Sequence, residues 1–205
     1  QANRGNIPGL KPKDLVGIPW RVAFALQADG WWLRSDIIWY KPNAMPESVK
    51  DRPTLAHEHI FLLAKSTHYY YDYEAVREPN QTKYTESWGV FRRQKDYRKG
   101  GGAGVEVAKE EFDKYRRMGR NKRTVWIVPT KPFKDAHFAV FPPNLIRPCI
   151  LAGCPPGGIV LDPFFGSGTV GVVALQEGRH FIGIELNPEY CKMARERIRR
   201  EAPMS

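Results

Sequence analysis

Several features are scarce or absent in this 205-residue sequence, and each absence excludes a class of protein. Cysteine occurs only three times, with no Cys-x-x-Cys pair, which excludes a disulfide-rich scaffold and a thiolate zinc site. No run approaches the roughly 18 consecutive apolar residues of a membrane-spanning helix. The first ten residues also lack the apolar core of a secretory signal. These absences favour the reducing environment of a cytoplasm and predict no association with a membrane.

The charge balance is basic. The chain has 32 Lys and Arg against 22 Asp and Glu, a formal net charge of +10. Such an excess of cations indicates an acidic partner, with nucleic acid as the first candidate. The apolar fraction of 42% is ordinary for a globular protein. The length suggests one domain, with room for an inserted lobe.

The chain divides into three segments of different composition. Residues 1–72 have a mixed α/β pattern, with a helix predicted from a cap at Asp14 to Asp29 and strands predicted over 33–40 and 57–65. Residues 73–128 are polar and basic, and 129–205 return to an α/β pattern. We therefore expect an α/β core that carries an inserted basic lobe.

The basic segment concentrates most of the net charge. Between Arg77 and Arg123 there are 14 Lys and Arg against 7 Asp and Glu, with aromatic residues interleaved. The densest run has no acid among its cations, which favours contact with phosphates over a solvated face. The cations predicted to contact DNA here are Arg116, Arg117, Arg120, Lys122 and Arg123.

The last segment alternates strands and helices. The pattern predicts a helix over 144–153, a buried strand over 159–162, a turn and helix over 166–178, a buried strand over 181–184, and a helix from Asn187-Pro188 to about residue 200. This order predicts a parallel sheet with helical crossovers. Four cations near the end of the last helix are expected to mark a solvated helix end: Arg195, Arg197, Arg199 and Arg200.

A glycine-rich turn is the most informative motif. Asp162-Pro-Phe-Phe-Gly166-Ser-Gly168-Thr-Val-Gly171 follows a strand and opens a helix, the position at which ligands bind in open α/β sheets. Glu185 ends the next strand, 17 residues after Gly168, where an acid can bind ribose hydroxyls.

Three interpretations of this turn are open. The spacing Gly166-x-Gly168-x-x-Gly171 fits a dinucleotide site, but Asp162 would repel a pyrophosphate. S-adenosylmethionine fits better, because it carries an ammonium, a sulfonium and a ribose but no phosphate. Asp162 would then bind the methionine amine and Glu185 the ribose. A purely structural tight turn is the third interpretation.

Several stretches of the sequence resemble one known family. Asp-Pro-Phe-Phe-Gly-Ser-Gly-Thr169 and Phe181-Ile-Gly-Ile-Glu-Leu-Asn-Pro-Glu-Tyr190 resemble the cofactor half of the DNA amino-methyltransferases that make N6-methyladenine or N4-methylcytosine. Gly30-Trp-Trp-Leu-Arg-Ser-Asp-Ile-Ile-Trp-Tyr-Lys-Pro-Asn43 and His57-Glu-His-Ile-Phe-Leu-Leu-Ala-Lys-Ser66 resemble its other half. The similarity covers most of the chain except about 74–118.

The resemblance implies a Rossmann-like methyltransferase fold, with a mostly parallel sheet and helices on both faces. The cofactor turn lies near the C-terminus, which in this family is the permuted arrangement: 1–72 would be a catalytic half, 73–128 the target-recognition lobe and 129–205 the cofactor half. The implied function is site-specific methyl transfer from S-adenosylmethionine to an exocyclic amine of duplex DNA. The implied source is a bacterium or phage, and a cognate restriction endonuclease is an open partner.

The resemblance also assigns site residues. The expected cofactor-binding residues are Asp162, Pro163, Phe164, Phe165, Gly166, Ser167, Gly168, Thr169, Glu185, Leu186, Asn187, His137, Phe138 and Phe141. Of these, Leu186 and Asn187 would flank the adenine, and His137, Phe138 and Phe141 would lie near the methionine end. Lys41 and Asn43 would lie by a base flipped out of the duplex, with a strand-ending turn as the equal alternative.

The sequence departs from the family at the catalytic motif, a polar residue followed by Pro-Pro and an aromatic residue. That motif orients the exocyclic amine and stacks on the flipped base. Neither Phe141-Pro-Pro-Asn144 nor Cys154-Pro-Pro-Gly157 fits it, so we name no catalytic residue. We expect the motif in a segment that precedes Gln1; the alternative is a fragment that binds cofactor and DNA without methyl transfer.

One further pair suggests a metal site only weakly. His57 and His59 are two residues apart and would share one face of a strand. A metal site needs a third or fourth ligand, and the sequence near them offers none, so we predict no metal.

Overall fold

The computed structural model describes residues 9–80, 119–130 and 140–202. In this part of the chain the helices and strands are α1 (Ile18–Ala28), β1 (Trp32–Tyr40), β2 (His57–Ala64), β3 (Val125–Ile127), α2 (Pro143–Gly153), β4 (Ile159–Asp162), α3 (Thr169–Gln176), β5 (His180–Gly183) and α4 (Pro188–Glu201). For the strands and the last three helices, most of the observed ends lie within one or two residues of the predicted ends. The exceptions are β3, which the sequence did not predict, and the start of α3.

The first sheet has the order β2-β1-β3. β1 pairs antiparallel with β2 and parallel with β3, so that Trp39 lies beside Trp126. Both indole rings are buried with Leu145 of α2, and Nε1 of Trp39 donates a hydrogen bond of 2.7 Å to the carbonyl of Val128. The three apolar side chains form the core of this half.

Helices lie on both faces of this sheet. Trp20 of α1 contacts His59, with ring centroids 4.4 Å apart, and His59 is the cross-strand partner of Ile38. Leu145 of α2 contacts Trp39, which follows Ile38 and therefore points to the opposite face. The predicted arrangement of helices is confirmed for this sheet.

The second sheet consists of β4 and β5, which are parallel and joined by α3. Val173 and Ala174 of α3 are fully buried and pack with Ile150 of α2. Because α2 also contacts the first sheet through Leu145, one helix connects the cores of the two sheets.

The prediction that β4 and β5 are buried on both faces is wrong. α3 covers the face that carries Val160 and Phe181. The side chains of the other face are exposed by 50% or more, and they belong to Ile159, Leu161, Ile182 and Ile184. The sequence shows that both faces are apolar, but not whether an element of the described chain covers each of them.

The start of α1 also differs from prediction. The helix begins at Ile18, after Gly17 in a left-handed conformation, with Pro19 in its first turn. Asp14 does not cap it, because its carboxylate accepts a hydrogen bond from the backbone N–H of Lys11. Proline favours the first helical turn, so Pro19 is consistent with a helix that begins at Ile18.

The two ends of the basic segment meet at an isolated backbone bridge. Glu78 and Arg120 exchange hydrogen bonds of 2.9 and 2.8 Å between their backbone groups. Within the range 73–128 predicted as an insertion, β3 belongs to the core sheet. Most of that range, residues 81–118, lies outside the described residues.

Candidate functional site

The glycine-rich turn connects the carboxyl end of β4 to α3. Gly166 and Gly168 have φ angles of 50° and 78°, a left-handed region that side chains other than glycine rarely adopt. Gly168 is the N-cap of α3, and a Cβ there would lie 2.9 Å from the Cβ of Ala194 on α4. Both positions require glycine for their backbone conformation, and Gly168 requires it also for the close approach of α4.

The ring of Phe165 points into the protein and fixes the middle of the turn. It stacks on Phe181 with ring centroids 5.3 Å apart and planes 9° from parallel. A Cβ at Gly171 would lie 2.7 Å from this ring, and one at Gly183 would overlap it. The third glycine of the motif therefore makes space for Phe165 between α3 and β5.

Asp162 and Glu185 lie at neighbouring strand ends. Asp162 pairs with Gly183 in the β4–β5 register, and its carbonyl accepts a 2.9 Å hydrogen bond from the N–H of Ile184. Its carboxylate accepts from the N–H of Phe164, at 2.9 Å. Two acids at one sheet edge, beside bare glycine backbone, can bind a ligand that carries cationic groups and hydroxyls.

Glu185 connects the turn after β4 to the start of α4. One carboxylate oxygen accepts from the N–H of Gly166, at 2.8 Å, and the other from the N–H of Asn187, also at 2.8 Å. These backbone hydrogen bonds, that of Asn187 first, lower the pKa of Glu185 below its ordinary value. The group is therefore a carboxylate at neutral pH.

The remaining residues of the two loops differ in exposure. Phe164 is 90% and Leu186 95% exposed. Pro163 is exposed as well. Asn187 caps α4, because its side-chain oxygen accepts from the N–H of Glu189 at 2.9 Å. Two exposed apolar side chains beside two carboxylates give the site an apolar and a charged part.

Ser167 and Thr169 were expected to line the cofactor site, but both are only 3% exposed. Their hydroxyls contact Arg197 of α4 at 3.2 and 2.8 Å. The prediction of a solvated Arg197 is wrong, because this residue is 4% exposed. Helical spacing could have predicted this burial. Arg197 follows the buried Ala194 by three residues, so both lie on the face of α4 that contacts the turn.

Lys41 and Asn43, expected beside DNA, both make contacts within the protein. Lys41 pairs with Glu58, and its Nζ lies 4.5 Å from the ring centroid of Trp39. The Asn43 side chain exchanges two hydrogen bonds with the backbone of Thr130, at 3.0 and 2.9 Å. These contacts favour the structural alternative for Asn43, a clamp between two loops.

Arg120, Lys122 and Arg123 gather around one acid. Glu78 pairs with Arg120 at 3.3 Å and with Lys122 at 3.5 Å, and it accepts from the backbone N–H of Arg123 at 3.4 Å. The side chains of Arg120 and Lys122 are only 25% and 21% exposed, whereas Arg123 is exposed. Of these three cations, Arg123 is the most available to a phosphate.

The remaining predicted site residues are only partly described. Phe141 is 36% exposed and directly precedes the Pro142-Pro143 pair at the start of α2. Four predicted residues lie outside the described residues: Arg116, Arg117, His137 and Phe138.

His57 and His59 share a strand face, with ring centroids 5.3 Å apart. Nδ1 of His59 contacts the carboxylate of Asp36 at 2.9 Å. Among residues 9–80, 119–130 and 140–202, no three His, Cys, Asp or Glu side chains are grouped to hold a metal ion. No helix within these same ranges has the length and apolarity needed to cross a bilayer.

Comparison with known families gives one match that extends over nearly the whole chain. The family described as DNA methylase matches residues 3–196. The chain is 59% identical over 193 residues to the type II methyltransferase M.Cfr9I of Citrobacter freundii, covering 94% of this chain and 53% of that protein. It is 52% identical over 192 residues to M.SmaI of Serratia marcescens, covering 94% and 55%. The chain thus spans about half the length of the curated relatives it matches.

Solved structures show the same fold. The PvuII DNA methyltransferase, described as cytosine-N4-specific, aligns with a TM-score of 0.62 at 18% identity, covering 94% of this chain and 60% of that one. The complex of M1.HpyAVI with S-adenosylmethionine aligns with a TM-score of 0.58 at 22% identity, covering 90% and 71%. The predicted Rossmann-like α/β methyltransferase fold is confirmed.

Proposed function

The chain belongs to the DNA methylase family, and from this membership we propose that it transfers a methyl group from S-adenosylmethionine to an exocyclic amino group of a DNA base. The observation that carries the proposal is the pair Asp162 and Glu185 at adjacent parallel strand ends, joined through the turn at Gly166. M.Cfr9I and M.SmaI, which share more than half of their aligned residues with this chain, are type II methyltransferases.

The residues at this edge fit S-adenosylmethionine. When bound, the cofactor supplies a methyl group on a positively charged sulfur. Asp162 would bind the ammonium of its methionine part through a charge-assisted hydrogen bond. Glu185 would accept from the ribose hydroxyls, since a carboxylate has about four acceptor positions. Leu186 would pack on the adenine, which its 95% exposure permits.

DNA is the proposed substrate, and the surplus of cations supports it. Arg123 would contact a phosphate directly, while Arg120 and Lys122, held by Glu78, would shape the stem of a target-recognition lobe. We place Arg116 and Arg117 in the same lobe. The attacking atom is the base's own nitrogen, so no covalent bond to the enzyme is expected. A cognate endonuclease and a bacterial cytoplasm are part of this proposal, because the relatives are bacterial type II enzymes.

A second candidate function rests on the Pro-Pro pairs. Neither Phe141-Pro-Pro-Asn144 nor Cys154-Pro-Pro-Gly157 has the polar and aromatic neighbours of the family's catalytic motif. If neither a segment that precedes Gln1 nor another polypeptide supplies that motif, the chain binds cofactor and DNA without methyl transfer. The two functions share a cofactor site and differ only in turnover.

The test measures cofactor binding and methyl transfer on the same preparation. Calorimetry gives the affinity for S-adenosylmethionine, and labelled-methyl incorporation into unmethylated duplex DNA, followed by base analysis, gives activity and separates N4-methylcytosine from N6-methyladenine. Asp162→Asn should abolish both signals, whereas Asp29→Asn, which alters the exposed C-cap of α1 before β1, should change neither. Binding without incorporation would favour the second function, and absence of binding in the wild type would refute the cofactor site.

A further inference from the structure

Arg197 is a buried cation that the proposed chemistry does not use. It lies on α4 and is 4% exposed. Its Nη1 donates to the hydroxyls of Thr169 and Ser167, at 2.8 and 3.2 Å, and approaches the carbonyl of Ser167 at 3.4 Å. On its other side, Nε donates to Glu201 at 3.1 Å. The guanidinium thus connects the C-terminal part of α4 to the glycine-rich turn.

Removing a guanidinium from water is costly unless its donors are satisfied. Glu201 compensates the charge: burial alone would raise the pKa of this carboxyl, but hydrogen bonds and charges from Arg200 and Arg197 outweigh burial and hold it below the ordinary value. Packing of α4 against the turn is already provided by Ala194 at Gly168. Arg197 adds hydrogen bonds of defined orientation to that packing. Its donors fix the side chains of Ser167 and Thr169, which lie on either side of Gly168.

We propose that Arg197 is a positioning residue for the cofactor turn, acting through Ser167 and Thr169. The inference rests on the proposed function, since the turn matters only if it holds the cofactor. By fixing Ser167 and Thr169, Arg197 holds the left-handed backbone at Gly168 between them, and with it the conformation of the turn that follows Asp162. Without this contact the turn samples other conformations, and binding must select the competent one.

The planar guanidinium is essential to this role. Arginine presents several donors in a fixed fork, whereas lysine has a single ammonium. Arg197→Lys can keep the charge opposite Glu201 but cannot also reach both hydroxyls, so it should restore only part of the affinity that Arg197→Met loses. A charge-assisted hydrogen bond contributes enough to stability that its loss should weaken cofactor binding about tenfold in Arg197→Met.

Arg179 provides a matched control. It is 8% exposed, and its guanidinium donates to backbone carbonyls, twice to Cys154 at 3.2 and 3.1 Å and also to Glu177. Arg179→Met therefore removes an equally buried arginine from a purely structural position. It should lower the unfolding temperature to a similar extent while cofactor affinity stays within about twofold of the wild type, because the turn keeps its contacts.

The experiment measures S-adenosylmethionine affinity by calorimetry and hydrogen exchange of the peptide spanning 162–172 without ligand, in wild type, Arg197→Met, Arg197→Lys, Arg179→Met and Thr169→Val. We expect faster exchange and weaker binding in Arg197→Met than in the wild type. The double variant Arg197→Met with Thr169→Val should show no further loss of cofactor affinity. Unchanged exchange, or a loss of affinity equal to that of Arg179→Met, would overturn the positioning role. Failure of the wild type to bind would instead refute the proposed function, while the exchange measurement still tests the contact with the turn.

Discussion

Glu185 accepts a hydrogen bond from the backbone N–H of Gly166, 19 residues earlier in the chain and at 2.8 Å. The bond joins the loop after β5 to the loop after β4, so the two parts of the proposed cofactor site are held together by an acid that we also expect to bind ribose.

Glu185→Gln should weaken cofactor binding and lower the unfolding temperature at pH 7, because the two backbone N–H groups bond to different oxygens of the carboxylate and an amide has only one acceptor oxygen. The pKa of Glu185 is lowered in the folded protein from an ordinary value of 4.5. Its stabilising contribution is therefore complete above that value and is lost as the pH falls through the lower folded value. Thermal unfolding of both proteins from pH 7 to pH 3 checks this; a difference that persists at the acid end would contradict it.

Gly183→Ala should destabilise the protein by about 1–3 kcal/mol, the usual cost of overpacking, because the new Cβ would overlap the ring of Phe165. Gly153→Ala is the control, since a Cβ there meets nothing within 4 Å. Phe165→Leu, added to Gly183→Ala, should recover part of the loss. Denaturant unfolding measures all three, and equal stability of the two single variants would refute the steric explanation.

Arg120→Met and Arg123→Met should behave differently, although both residues were predicted to contact DNA. Arg120 is half-buried and paired with Glu78, so its loss should lower stability by about 1–2 kcal/mol. Arg123 is exposed, so its loss should leave stability unchanged and reduce the salt dependence of DNA binding by about one phosphate contact. Unfolding curves and DNA titrations at several salt concentrations test the pair. Identical effects in both assays would contradict the distinction.

Cys149 should resist alkylation at neutral pH. Burial raises the pKa of its thiol to about 11, against a smaller lowering by Lys122, and the thiolate is the reactive form. Iodoacetamide labelling followed by peptide mass spectrometry at pH 7 and pH 10 should show slow modification that accelerates with pH, and Cys149→Ala identifies the peptide. Fast labelling of the folded protein at pH 7 would show that the thiol is neither buried nor protonated.

Local patterns predicted the secondary structure well. Short continuous apolar runs predicted β4 and β5, and Asn187-Pro188 predicted the start of α4, where Asn187 caps the helix. These features depend on residues close in sequence, whose steric and hydrogen-bonding preferences act locally. Asp14 failed as a cap for a local reason as well: the carboxylate already bonds to the N–H of Lys11.

The assignments that changed depend on partners far away in sequence. Glu78 accepts a hydrogen bond from Arg120, 42 residues away, and Asn43 donates one to Thr130, 87 residues away. A run of cations has the same appearance in sequence whether it faces solvent or an acid from another segment. Only the fold brings the acid to the cations, and it thereby separates Arg120 and Lys122 from the exposed Arg123.

The sequence alone determined the family, the α/β order of the last segment and the acids at the two strand ends, because these lie in contiguous motifs whose spacing carries the chemistry. The tertiary structure decided which of the motif's side chains face the site. Ser167 and Thr169 turn inward to Arg197, 30 and 28 residues away, while Phe164 and Leu186 remain exposed. The physical reason is that burial depends on how α4 packs against the turn. Helical spacing places Ala194 and Arg197 on one face of α4, but it does not specify which segment that face contacts.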